Sequence, residues 1–328
     1  MPTFLDPIWS NGKKIAVIDS SGNAFSFDDL SRMIIDFSLE PNEGTAVALM
    51  TCSNTVEAIA GYLAFVKGQF ATILLPTNIR TIDNYVSLYT PKYLYLDHTL
   101  DHCNYREVFR FGKYHLYILR SPVNSGCEIN SELRLLLTTS GSTGSPKLVR
   151  ISDENIELNC KMILQSLRIN NDDIAITTLP FSYSYGLSII NTSLLNGNKI
   201  QLNEYSIIQR SFWDLLLSSR ATNFGGIPFN YQQLEQIGLD RLKSSHIRFM
   251  TQAGGRLPRS TFENVFDFCE HNNIDFFVMY GQTEATARMS VLSPLDAKRF
   301  PSSVGKAISP GRFELINPEI SLEVNGFK

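Results

Sequence analysis

Residues 139–147 read Thr-Ser-Gly-Ser-Thr-Gly-Ser-Pro-Lys, directly after the apolar run Leu135-Leu-Leu-Thr138. Glycines without a Cβ let backbone N–H groups approach a phosphate closely, neighbouring hydroxyls add donors, and Lys147 supplies charge. Thr139, Ser140, Gly141, Ser142, Thr143 and Gly144 are therefore candidates for holding polyphosphate. The spacing is neither that of GxxxxGK[ST] nor that of GxSxG, so a Walker loop and a nucleophile elbow are both excluded. Taken only as Gly/Ser richness, the stretch is equally a surface turn.

A second stretch couples an apolar run, Phe276-Phe-Val-Met279, to Tyr280, Gly281, Gln282, Thr283 and Glu284. In open α/β sheets ligands bind beyond the carboxyl ends of strands, where these residues would lie. A tyrosine face can stack on a base and a threonine hydroxyl can bond a phosphate. A carboxylate can hold Mg²⁺, which favours oxygen ligands in phosphate company. Alone, the stretch also fits an ordinary strand-to-helix turn. A third cluster, Asp97-His98-Thr-Leu-Asp101-His102-Cys103, sets two histidines four apart beside a thiol. It reads either as a metal face without a clear fourth ligand or as a solvated turn.

The elements that must position these groups alternate. Short apolar runs predict strands at 14–18, 46–50, 71–75, 93–96, 113–119, 133–138, 173–179, 199–202, 247–251 and 275–279. Helical period predicts helices at 54–66, 153–167, 211–219 and 259–271. In the second helix Ile156, Cys160, Ile163 and Leu167 share one face, and Ser152 is placed to cap it. Such alternation implies α/β architecture, with parallel or mixed sheets flanked by helices. Periodicity weakens near 294–301, beyond which 313–316 and 320–324 read as strands of a more antiparallel element.

The 328 residues are 43% hydrophobic and 19% charged, enough to bury a sizeable core and too apolar for disorder. With 29 Lys plus Arg against 32 Asp plus Glu, the formal charge of -3 argues against a general nucleic-acid partner. Five scattered cysteines, never spaced CxxC, argue against a disulfide framework. No signal peptide or membrane-length apolar run stands out, so a cytoplasmic protein without a membrane partner is expected.

Together the two glycine-bearing stretches resemble the signatures of the adenylate-forming superfamily: acyl- and aryl-CoA synthetases, peptide-synthetase adenylation domains and luciferases. Leu179-Pro-Phe-Ser-Tyr-Ser-Tyr-Gly186 resembles its aromatic acyl-pocket motif. Ala253-Gly-Gly-Arg-Leu-Pro258 resembles its adenine-lining segment, and Ser303-Val-Gly-Lys306 the stretch following the second signature. The five motifs occur in the family's order. The resemblance implies ATP-dependent activation of a small carboxylic acid to an acyl-adenylate. Transfer to a thiol would follow, on CoA or on the phosphopantetheine of a carrier protein.

By that resemblance Thr139–Gly144 would wrap the β- and γ-phosphates, with Lys147 nearby. Tyr280 would stack on adenine against the backbone of Gly254, Gly255 and Arg256, with Gly281 and Gln282 completing the turn. Thr283 would touch the α-phosphate, and Glu284 would ligate Mg²⁺. Tyr183, Ser184 and Gly186 would line the acid's pocket. Amino-acid-activating members carry an acid after the pocket aromatic, and none stands here from Ser182 through Leu187, which favours a non-amino acid.

The resemblance also implies a division of one large domain into 1–170, 171–300 and 301–328, the last being the start of a distorted β-barrel. The family's Thr-Gly-Asp motif and the lysine of its small C-terminal lid have no match in 1–328. The expectation is a truncated large domain, poorly active alone. The alternative is a non-catalytic nucleotide- or acyl-binding module derived from such an enzyme.

Overall fold

A computed structural model describes residues 5–40, 46–77, 82–121, 129–139, 147–316 and 323–325. The chain starts with helix α1 (Asp6–Ser10) and a hairpin of β1 (Ile15–Ile18) and β2 (Ala24–Ser26), followed by α2 (Phe27–Asp36). A first sheet is then built from β3 (Val47–Cys52), β4 (Ala71–Pro76), β5 (Tyr93–Leu96), β6 (Tyr105–Phe111), β7 (Tyr114–Leu119), β8 (Leu133–Thr138) and β9 (Leu148–Ser152). Their spatial order is β6-β7-β5-β3-β4-β8-β9, parallel at the centre and antiparallel at both edges. The central strand β3, Val-Ala-Leu-Met-Thr-Cys, is buried at every position, as expected of a parallel strand covered on both faces. Helix α3 (Val56–Lys67) crosses between β3 and β4, and α4 (Ile82–Tyr89) between β4 and β5.

The second sheet follows α5 (Asp153–Leu167). It comprises β10 (Ile174–Ile176), β11 (Lys199–Gln201), β12 (Asn223–Gly226), β13 (Phe249–Gln252), β14 (Asp275–Tyr280), β15 (Ser290–Leu292) and β16 (Lys306–Ala307). Its order is β16-β15-β14-β13-β12-β10-β11-β1-β2, so the N-terminal hairpin joins it from far away in sequence. Between its strands run α6 (Ser184–Leu195), α7 (Arg210–Ser219), α8 (Pro228–Ile237), α9 (Arg259–His271) and α10 (Pro294–Arg299). A last hairpin, β17 (Glu314–Ile316) with β18 (Glu323–Asn325), is antiparallel. Among the described residues there is no closed barrel.

One hydrophobic cluster joins the sheets, taking Met50, Leu63 and Leu137 from the first and Val17, Phe181 and Ile200 from the second. At the seam, the Tyr62 hydroxyl of α3 donates to Asn191 Oδ1 of α6 at 3.0 Å, both buried. Another tie holds the far side of the second sheet. Asp173 accepts from Arg248 Nε and Nη2 at 3.0 and 2.5 Å, from Thr222 Oγ1 at 2.8 Å and from the Asn170 N–H at 2.8 Å. A buried carboxylate with every lone pair answered is the arrangement in which an ion pair holds elements together rather than straining them.

Candidate functional site

Strands β8 and β9 are paired so that Thr138 faces Leu148, which sets Thr139 and the exposed Lys147 at the base of the connection. Residues 140–146, with Ser140, Gly141, Ser142, Thr143 and Gly144 among them, lie outside the described residues. The connection thus joins two strands and precedes α5, as its sequence implies. Ser152 caps α5 reciprocally: its Oγ accepts from the Asn155 N–H at 3.1 Å while Asn155 Oδ1 accepts from the Ser152 N–H.

Strand β9 packs against a single 3-10 turn, Thr283–Ala285, that follows β14. This turn is reached by a sharp reversal. Thr286 and Ala287 have φ of 58° and 98°, and the Gln282 carbonyl accepts from both the Ala285 and Ala287 N–H groups. Gly281 makes the reversal possible, because a Cβ there would lie 1.6 Å from the Ala287 carbonyl oxygen. Tyr280, the last residue of β14, keeps its ring 42% exposed beside that turn. Glu284 is exposed and makes no hydrogen bond or ion pair with the described residues, as do Lys147 and Arg256. An unengaged carboxylate beside a threonine hydroxyl fits the oxygen-ligand demand of Mg²⁺.

Three segments from distant parts of the sequence meet at this turn. Ser184, the first residue of α6, has its Oγ 3.2 Å from Thr283 Oγ1, and both are buried. Tyr183, the residue before α6, places its hydroxyl against Gly254. A Cβ on Gly254, whose φ is +80°, would lie 2.7 Å from that oxygen. The Gly254–Gly255 backbone is itself held by Gln252, a buried residue ending β13, whose Nε2 donates to the Gly255 carbonyl at 2.8 Å. Gly186 sits in the first turn of α6, close to the Pro180 carbonyl. The Leu179–Gly186 segment, the Ala253–Pro258 segment and the Tyr280–Glu284 turn thus converge beyond the carboxyl ends of β13 and β14.

Two aromatic residues deepen the same corner. The Tyr185 hydroxyl lies 2.8 Å from both the carbonyl oxygen and Oγ1 of Thr251, and Tyr231 also donates to that carbonyl at 2.7 Å. Burial raises the pKa of the Tyr183 and Tyr185 hydroxyls above the ordinary tyrosine value, with the Arg288 charge opposing. Arg288, four residues after Glu284, is 4% exposed and lays its guanidinium 4.1 Å from the Tyr185 ring centroid. Sequence reading had no hold on Arg288, since a lone cation in Ala-Thr-Ala-Arg-Met-Ser carries no periodic signal.

Other sequence candidates go elsewhere. Lys306 is held by Asp296 at 3.0 Å on the exposed side of β16. Asp97 accepts from Thr51 Oγ1 at 2.9 Å and stands 3.1 Å from His98 Nδ1, while Cys103 is exposed. Among the described residues no three His, Cys, Asp or Glu side chains converge to hold a metal ion.

The family model of the AMP-binding enzymes matches residues 117–325, more than half of the chain. The chain belongs to the AMP-binding enzyme family. A 2-succinylbenzoate–CoA ligase of Oceanobacillus iheyensis is 26% identical over 188 residues, covering 56% of this chain but only 37% of the relative. Among solved structures, the o-succinylbenzoate CoA synthetase of Bacillus subtilis superposes with a TM-score of 0.77 at 18% identity, covering 100% of this chain and 67% of that one. The ATP-bound MatB of Rhodopseudomonas palustris gives 0.76 at 19% identity, covering 98% and 68%. The fold is that of the large domain of adenylate-forming enzymes. Among the described residues of this AMP-binding chain, no helix is long and apolar enough to cross a membrane.

Proposed function

We propose that this chain carries the nucleotide and acid sites of an AMP-forming acid–thiol ligase. In the first step a carboxylate oxygen of the acid attacks the α-phosphorus of ATP. The bond from that phosphorus to the bridging oxygen breaks, and pyrophosphate leaves with the electron pair. In the second step the thiol sulfur of CoA, or of a carrier protein's pantetheine, attacks the acyl carbon, and AMP departs.

The observation that carries this reading is the meeting of Ser184 with Thr283 and of Tyr183 with Gly254. It brings the Leu179–Gly186 segment, the Gly254 backbone and the Thr283 hydroxyl side by side, which supports reading them as acid pocket, adenine-facing backbone and phosphate-facing hydroxyl. On this reading Tyr280 stacks on adenine against Gly254, Gly255 and Arg256, and Gly281 with Gln282 fixes the turn. Thr283 bonds the α-phosphate, while residues 139–144 and Lys147 hold the terminal phosphates. Tyr183, Ser184 and Gly186 shape the acid's pocket. Glu284 would hold Mg²⁺, which supplies positive charge to the phosphates when bound. In-line attack at phosphorus asks for positioning and charge neutralisation more than for an acid or base, and these groups offer both. The small-molecule acid and a carrier protein or CoA are then the partners.

Calorimetric titration of the chain with ATP and Mg²⁺ tests the site. Base stacking contributes about 1–3 kcal/mol, so Tyr280→Ala should weaken ATP roughly 5- to 150-fold. Glu284→Gln should weaken it only when Mg²⁺ is present. No ATP binding, or affinities indifferent to both substitutions, overturns the assignment.

A further inference from the structure

Gln252 is a polar side chain on an apolar face. It ends β13 two residues beyond Met250, so by the alternation of a strand the two share a face, the one that carries the outer cluster around Phe224, Met250 and Phe276. Its neighbours in register are Gly226 of β12 and Val278 of β14, and Val278 packs on that same cluster. At 1% exposure the amide is shut away from water, a place where it is stable only if its hydrogen bonds are made. Gln252 makes them to the chain just ahead of it. Its Nε2 donates to the Gly255 carbonyl at 2.8 Å and to the Ala253 carbonyl at 3.3 Å.

These bonds hold the segment that follows β13. The Ala253 N–H still donates to the Gly226 carbonyl, at 3.2 Å, but among the described residues no other hydrogen bond ties the backbone of Gly254 to Leu257 to the rest of the chain. A trans peptide sends its C=O and its N–H in opposite directions. With the Ala253 and Gly255 carbonyls turned back to Gln252, the N–H groups of Gly254 and Arg256 point the other way, off the outer face. Neither meets an acceptor among the described residues. Tyr183, whose hydroxyl lies against Gly254, packs with Ala253, Phe277 and Met279 of the opposite face.

We infer that Gln252 is a positioning residue for the nucleotide. From behind the sheet it fixes the backbone of residues 253–256, with two free N–H groups outward, as the surface that receives the base opposite Tyr280. This deepens the proposed function and rests on it for the ligand, whereas the tie itself is tested with no ligand present.

Trypsin cleavage after Arg256, an exposed side chain, reads whether the segment is held. Cleavage after Arg220, which is exposed at the opposite ends of the strands, is the reference. Both rates are followed by mass spectrometry on the 328-residue chain. Gln252→Met keeps the length of the side chain and removes both donors. Cleavage after Arg256 should then rise roughly tenfold or more, while cleavage after Arg220 stays within about twofold. Affinity for ATP with Mg²⁺, measured by calorimetry, should fall roughly tenfold. In a Tyr280→Ala background the same substitution should cost less than about twofold, because the base no longer lies between the two. Gln252→Asn, too short to reach Gly255, should repeat these effects, and it decides if circular dichroism shows that the Met variant does not fold. Cleavage after Arg256 that is no faster, or that rises together with cleavage after Arg220, makes Gln252 a residue of general stability and overturns the inference. Faster cleavage with unchanged ATP affinity overturns its role toward the nucleotide, as do losses that simply add to those of Tyr280→Ala. A wild-type chain that binds no ATP brings down the proposed function, and the nucleotide role with it, whatever trypsin shows of the tie.

Discussion

At the scale of single residues, close approach explains why particular types stand where they do. Thr283, Ser184, Tyr183 and Gly254 are legible in the sequence because each belongs to a short motif whose spacing is fixed by one turn. Arg288 is not legible, because its burial depends on the reversal at Thr286 and Ala287 and on Tyr185 arriving from a different element. The same reversal yields a prediction at Gly281. A methyl group there would overlap the Ala287 carbonyl, and backbone cannot move aside as cheaply as a flexible side chain. Overpacking of this kind costs about 1–3 kcal/mol. Gly281→Ala should therefore lower the urea midpoint and, by displacing Thr283, weaken ATP. A variant with unchanged midpoint and affinity would show that the turn relaxes freely.

At the scale of elements, legibility tracks amphipathicity and caps. Helix α5 is readable from end to end because one face is apolar and Ser152 marks its start. Helix α6 escapes sequence reading, since nearly all of it is buried while its composition is rich in Ser, Asn, Thr and Gly. It has no polar face to set a period against. Short strands such as β12, Asn-Phe-Gly-Gly, escape for lack of side chains. Helix α2 begins with a capping box that gives a pH-dependent prediction. The Asp29 carboxylate accepts from Ser26 Oγ at 2.6 Å and from the Ser26 N–H at 2.8 Å. These bonds, with a smaller push from Arg32, hold its pKa below the ordinary carboxylate value. A depressed folded value means stability that is complete above the unfolded value near 4 and is lost as pH falls through the folded one. Ser26→Ala should cost about 1 kcal/mol at neutral pH. Urea titrations should show the gap to wild type narrowing below about pH 4. A gap that stays constant down to about pH 3 would assign the cost to the neutral part of the cap alone.

At the scale of the whole molecule, the parallel sheets are legible as apolar strands alternating with helices, whereas their division is not. Nothing local in Ile15–Ile18 says that it pairs with Lys199–Gln201, across more than half the chain. That pairing decides how the molecule unfolds. The first sheet shares one core with the inner face of the second, through Val17, Phe181, Leu187 and Ile200, and Tyr62 bonds Asn191 across the seam. The outer face of the second sheet carries a separate cluster around Phe212, Trp213 and Phe224. Melting the first sheet would strip the inner face of the second and remove its β1–β2 edge, leaving the outer cluster on an uncovered sheet. The two tryptophans report the two sides. Trp9, with Lys67 of α3 over its ring, belongs to α1, whose Ile8 enters the first core, and Trp213 to α7, in the outer cluster. Coincidence of transitions seen by separate probes is the test of a single cooperative unit. Urea unfolding of Trp9→Phe, read by Trp213 fluorescence, and of Trp213→Phe, read by Trp9, should give midpoints that match far-UV circular dichroism of the same variant. Tyr62→Phe, which leaves Asn191 Oδ1 buried without its donor, should lower both midpoints together, by about 1–3 kcal/mol in unfolding free energy. Separate Trp9 and Trp213 midpoints in the parent variants, or a Tyr62→Phe shift confined to one of them, would mean that the second sheet stands without the first.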